Sequence, residues 1–144
     1  MQVYRSTVKI DEGDIQLYVA SNQHELTFLL GLGSIALPLF FNNLTELLNH
    51  QTSYVEVDGW DYLTFYTFSR HGDQVVIKEK HDKYAFNIFA FCEAVDAAFK
   101  KCFRKMRLEG LLPVPVEDSE FHPLAKPTMD AYQRFTSAVN KKRI

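Results

Sequence analysis

Cysteine is scarce in this chain of 144 residues: Cys92 and Cys102 are the only two. On one helix, ten residues of ~1.5 Å rise set them about 15 Å apart, beyond the reach of a disulfide. They read as reduced thiols in a reducing compartment. Long hydrophobic runs are also missing, and no stretch approaches the ~20 apolar residues that a bilayer span requires. The N-terminal MQVYRSTVKIDEGD lacks the apolar core of a secretion signal, so a soluble, cytoplasmic protein with no membrane partner is expected. Nor is there charge of one sign. Sixteen Lys and Arg face eighteen Asp and Glu, a net charge of −2, which provides no general attraction to nucleic acid. Proline is nearly confined to one place, with four of the five residues between positions 113 and 127.

What the chain has is apolar and aromatic bulk. Hydrophobic residues make up 47% and aromatics 14%, including twelve Phe and seven Tyr, a composition that suits strands packed on helices. The length accommodates one domain, residues 1–144, and not a second. The stretch FCEAVDAAFKKCFRKMRLEG organises it. Phe91, Val95, Ala98, Phe99, Cys102, Phe103 and Met106 recur at three- and four-residue spacing and predict one apolar helix stripe. Glu93, Asp96, Lys100, Lys101, Arg104, Lys105 and Arg107 are placed on the opposite face, with acids early and bases late as the helix dipole favours. Gly110 suits the position just past the end.

Period-two alternation predicts strands over Val3 to Ile10, Ile15 to Ala20 and Glu25 to Leu30, separated by turns at Asp11-Glu12-Gly13 and Ser21-Asn22-Gln23. Ser34 is placed to cap a helix that runs to about Asn49, with Pro38 acceptable only near its first turn. Its stripe is Leu37, Phe40, Phe41, Leu44, Leu47 and Leu48. Four further strands follow: Ser53 to Val57, Trp60 to Phe68, Gln74 to Lys78 and Lys83 to about Phe89. Asp58-Gly59 joins the first two of these as a hairpin signal. Asn87 offers a cap for a helix starting at Ile88. The expected fold class is therefore α+β: about three antiparallel strands, a helix, about four strands, a helix. Residues 1–110 form the core, 111–126 an extended proline-rich strap, and 127–141 a short helix with Met129, Tyr132, Phe135 and Val139 on one face.

Chemistry is harder to find. The five histidines, at 24, 50, 71, 81 and 122, share no element at ligand spacing. No metal, cofactor or catalytic residue is expected. Gly31-Leu32-Gly33-Ser34 has the look of a phosphate loop at a helix start, yet lacks the lysine of a nucleotide-binding motif. Trp60, Tyr62, Thr64, Tyr66 and Phe68 would share one face of a strand. An exposed face of that kind serves as a strip for a protein partner, with Trp60, Tyr62, Tyr66 and Arg70 as contacts. With Arg70 as its one base it suits single-stranded nucleic acid less well. An enzyme or small-molecule binder drawing on His71, Asp61 or Glu56 is the alternative, and an uncovered face would also support a homodimer.

The order of these elements resembles small bacterial immunity-type proteins, which neutralise a toxin by binding it. The resemblance is carried by the Val3–Met106 run, with the helix GSIALPLFFNNLTELLN, the hairpin block VEVDGWDYLTFYTFSRHGDQVVIKE and the helix FCEAVDAAFKKCF. It implies a non-enzymatic, cytoplasmic protein-binding module, an immunity or inhibitor protein with a toxin as partner. It matches no motif and transfers no functional residue.

Overall fold

A computed structural model describes residues 4–59, 64–115 and 122–142. The chain begins with a meander, β1 (Arg5–Asp11), β2 (Asp14–Ala20) and β3 (Glu25–Leu30), in the order β1-β2-β3. Two-residue and short turns join these strands because the turn residues accept strained or locally bonded backbone. Glu12 takes φ 57°, and the Ser21 hydroxyl accepts from the His24 amide at 3.1 Å. Register sets Val8 beside Leu17 and Leu17 beside Phe28. Ile15, Leu17, Val19, Leu26, Phe28 and Leu30 accordingly form one buried face.

Helix α1 (Gly33–Leu48) follows, then β4 (Tyr54–Asp58), β5 (Phe65–His71), β6 (Gln74–Glu79) and β7 (Asp82–Asn87) as a second antiparallel sheet in sequence order. Helix α2 (Ile88–Leu108) and helix α3 (Lys126–Lys142) complete an α+β fold. Asn87 caps α2, its side chain accepting from the Ala90 amide at 3.0 Å. Lys105 and Arg107 lie in the last turn, against the negative end of the dipole.

Five expectations need correction. Ser34 is not the cap of α1: Leu32 is, in a left-handed conformation at φ 47° and without a side-chain bond. Gly33 is present for a close approach instead, since a Cβ there would meet Pro123 at 2.8 Å and the Gly13 carbonyl at 3.0 Å. Pro38 sits in the second turn and removes the bond to the Ser34 carbonyl. The helix continues past it because Phe40, Phe41, Leu44, Leu47 and Leu48 are all buried. Asp58-Gly59 is no two-residue hairpin. Asp58 pairs with Phe65, and the Gly59 amide bonds the Thr64 carbonyl at 2.8 Å across a six-residue connection. A Cβ on Gly59 would meet the Leu29 carbonyl at 2.7 Å, so this glycine marks contact between the sheets. Strand β5 extends to His71, three residues beyond the expected end at Phe68. Finally, Asp96 is not on a solvated face of α2 but fully buried.

One core joins both sheets and all three helices. Phe28 of β3 is its hub, with ring centroids 4.9 Å from Tyr66, 5.7 Å from Phe68, 5.8 Å from Phe40 and 6.1 Å from Phe91. Each such buried ring stabilises the fold by about 1.5–3 kcal/mol through burial alone. Helix α3 closes the other side of α1. Phe41 packs on Phe99, Tyr132 and Phe135 at 4.8, 5.4 and 5.6 Å.

Candidate functional site

The described aromatics of the strip expected on β5 are turned inward. Tyr66 and Phe68 are wholly buried, and the Tyr66 hydroxyl accepts from the Leu29 amide at 3.0 Å. Burial is the main cause of its phenol pKa lying above the ordinary value. Arg70 is 6% exposed. Its guanidinium donates to the carbonyls of Leu47 and Leu48 at the end of α1, and to Gly72 at 2.7 Å. It also lies 5.5 Å from the centre of the Phe89 ring. Neither residue presents a surface to a partner. Both are joints between α1, β3 and β5, because the alternation that places Tyr66, Phe68 and Arg70 on one side puts that side against α1 and α2. Trp60, Tyr62 and Asp61 lie outside the described residues.

The other chemical candidates are dispersed. His71 closes the β5–β6 turn, and Glu56 stands opposite Thr67, so about 13 Å of strand separates them at ~3.3 Å per residue. His24 packs edge-on against Tyr84 and Phe86, each 6.1 Å away, and His122 accepts from the Leu124 amide. The Gly31 and Gly33 amides are not free for an anion: Gly31 donates to Gly59 and Gly33 to Gly13. Cys92 is buried, and burial drives its thiol pKa far upward.

The backbone shows what side-chain reading missed. A sheet edge offers unpaired N–H and C=O groups, and a folded protein ordinarily blunts it. On β3, the Leu29 amide bonds Tyr66 and its carbonyl accepts from Thr64 at 3.4 Å. Along β4, Thr52 bonds both the amide and the carbonyl of Tyr54, and Asn43 bonds the Glu56 carbonyl at 3.1 Å. At β7, the Asn87 amide bonds the Tyr4 hydroxyl at 2.9 Å. The edge of β1 has no such cover among the described residues. Asp11 and Asp14 flank a two-residue turn, so Arg5, Thr7, Lys9 and Asp11 bond β2, while Ser6, Val8 and Ile10 point their amides and carbonyls outward.

Beside this open edge runs a groove of about 450 Å³ between β1 and the C-terminal half of α2. Val8, Ile10, Ala98, Cys102, Met106 and Leu111 form its apolar lining. The strand and the helix are tied at one end by the Ser6 hydroxyl, which donates to the Ala94 carbonyl at 2.6 Å. Lys9, Lys101, Lys105 and Glu109 complete the lining with charge. Half-burial raises the Cys102 thiol pKa, with its Sγ 3.9 Å from the Met106 sulfur. Val8, Ile10 and Met106 are only partly buried, and Leu111 is half exposed. Chemically the groove can take an extended backbone along β1 and apolar side chains beneath it.

No family model, curated protein or solved structure matches this chain. The site therefore stands on its own geometry. Sequence did hold a signal for it: of the three expected strands in the first block, Val3 to Ile10 is the one whose inward row carries a polar residue, Ser6 between Tyr4 and Val8.

Proposed function

We propose that this chain is a non-enzymatic protein-binding module of the immunity or inhibitor kind, which neutralises a partner by pairing an extended segment of it against β1. The observation that carries this reading is the one sheet edge among the described residues with no side-chain bond to its outward backbone groups, set over a partly filled apolar groove. Strand addition draws affinity from main-chain hydrogen bonds and specificity from pockets for alternate side chains, and both are laid out between β1 and α2. The resemblance in layout to toxin-neutralising proteins accords with it. A volume of about 450 Å³ also falls in the ~300–1,000 Å³ range of small-ligand sites. What favours a polypeptide is the shape, since five consecutive residues, Ser6 to Ile10, form one wall.

Photo-crosslinking in the cell of origin tests the proposal. A photoreactive residue at Thr7 on the open edge should yield a discrete adduct with another protein. One at Thr27 on the opposite edge of the same sheet, away from the groove, should not, and Ile10→Glu should abolish the Thr7 adduct. Equal labelling from both positions, or none from Thr7, would remove the β1 edge as the binding site.

A further inference from the structure

The charges around the groove specify what kind of segment fits, on the reading that β1 accepts a strand. We infer that the segment is acidic: about five residues of a partner protein, apolar at alternate positions and carrying carboxylates at the others, some 17 Å long at ~3.3 Å per residue.

Register dictates the alternation. Partner residues directly opposite Ser6, Val8 and Ile10 project to the same side of the sheet as those residues. That side faces α2, where Ala98, Cys102 and Met106 line the groove. Apolar side chains belong there. Residues opposite Thr7 and Lys9 project to the outer face, where both β1 side chains are exposed. A carboxylate there meets the Lys9 ammonium, whose neighbours on that face include Asp11 and Asp14, so Lys101 and Lys105 carry most of the charge preference.

Charge supplies the sign. Lys9, Lys101 and Lys105 line the groove against one acid, Glu109. The two ion pairs among the described residues, Lys100 with Asp96 and Lys126 with Asp130, use none of these three lysines. They form a local positive field on a chain whose net charge is −2, and such a field selects and steers an acidic partner. A second copy of this chain fits less well. Antiparallel pairing of two β1 strands centred on Val8 sets Arg5 opposite Asp11, which is favourable. The same arrangement also lines one seam with Lys101 and Lys105 from both copies. Like charges opposed in this way act against self-pairing.

The test uses the full chain and two capped peptides, Glu-Val-Glu-Ile-Glu-Val-Glu and its Lys-for-Glu counterpart, with amide NMR shifts to locate binding and titration to measure it. The acidic peptide should shift the amides of Ser6, Val8, Ile10, Cys102 and Met106. It should bind at least about tenfold tighter than the basic one, with affinity that falls as salt rises. The surface variant Lys101→Glu/Lys105→Glu should reverse the preference. If both peptides shift β1 equally, or the basic one binds tighter, strand addition survives and the acidic inference fails. If neither peptide shifts β1, both fail. A concentration-dependent dimer that Arg5→Asp disrupts and Arg5→Asp/Asp11→Arg restores would assign the edge to a second copy and overturn the proposal.

Discussion

The Tyr132 hydroxyl on α3 donates a 2.6 Å hydrogen bond to the carboxylate of Asp96 on α2, and that carboxylate is wholly buried. Its other oxygen accepts from Thr136 at 3.0 Å and meets Lys100 at 3.0 Å. A buried charge is tolerated only when its lone pairs are satisfied, and here two residues one turn apart on α3 do most of that. The bond locks α3 onto the back of α2. Tyr132→Phe should cost about 1.5–3 kcal/mol of unfolding free energy, as for a hydrogen bond to a charged group. Asp96→Ala should cost about 3–5 kcal/mol, because it strands two hydroxyls in the core. Urea denaturation of the two single variants and the double variant checks this. Additive losses would mean that the two residues are not coupled.

The same pair gives the protein an alkaline limit. Burial, and then the hydrogen bond to Asp96, raise the Tyr132 phenol above its ordinary 10.0, and burial raises Tyr66 in the same direction. Below pH 10 the phenols are protonated in both folded and unfolded chains, and the stabilisation is fully present. As pH climbs beyond 10 the unfolded chain releases these protons while the folded chain holds them, so stability falls. Urea midpoints measured from pH 8 to 11 should decline for the parent protein and decline less for Tyr132→Phe. Identical slopes would show that Tyr132 is not one of the groups responsible.

These residues also show where sequence reading succeeds and where it stops. The stripes of α1, α2 and α3, the Asn87 cap and both meanders follow from period and spacing, because burial acts on every third or fourth residue and leaves a repeated trace. Asp96 leaves none. Its placement among acids and bases on α2 looks solvated, and only the arrival of Tyr132 and Thr136 from 36 and 40 residues away makes burial tolerable. The inward turn of Tyr66 and Arg70 was likewise undetermined, since alternation says which residues share a side but not which side is covered. Open and bonded sheet edges differ only in tertiary hydrogen bonds, so the candidate site at β1 was the least legible feature of all.

Arg70 illustrates the cost of reading a buried cation as a contact residue. It ends α1 in the way a C-cap does, satisfying carbonyls that the helix leaves unpaired, and its charge faces the negative end of the helix dipole. Arg70→Met should lower stability by about 3 kcal/mol, because two buried carbonyls, Leu47 and Leu48, lose a charged donor. Arg70→Lys should recover only part of that, since an ammonium cannot reproduce the planar fork that spans Leu47, Leu48 and Gly72. Thermal denaturation of both variants measures this. A neutral Arg70→Met would show that water replaces the guanidinium at no cost.

Gly59 makes a parallel case at the junction of the two sheets. Its amide bonds Thr64 and its carbonyl accepts from Gly31 at 3.0 Å, leaving a Cβ no space beside the Leu29 carbonyl. Gly59→Ala must push β3 and β4 apart, and overpacking of this kind costs about 1–3 kcal/mol. Gly72→Ala, at φ 62° with open space around it, separates the two causes, since strain there is conformational alone. Chemical denaturation should rank Gly59→Ala below Gly72→Ala in stability. The reverse order would mean that the sheets yield easily at this contact.

The two thiols give a readout of the groove itself. Burial raises both above the ordinary 9.0, and Cys92 the further, so neither is activated and their accessibilities decide their rates. Cys102, half-buried on the groove lining, should react slowly with a neutral disulfide reagent in the folded protein. Cys92 should react only on unfolding, at the rate at which the chain opens. A Cys102→Ser variant should then show no labelling under native conditions. An occupant seated along β1 lies over Cys102, so the acidic peptide should slow its labelling in proportion to the fraction bound, and the Lys101→Glu/Lys105→Glu variant should escape that protection. Labelling unaffected at saturating peptide would place the bound segment elsewhere on the molecule.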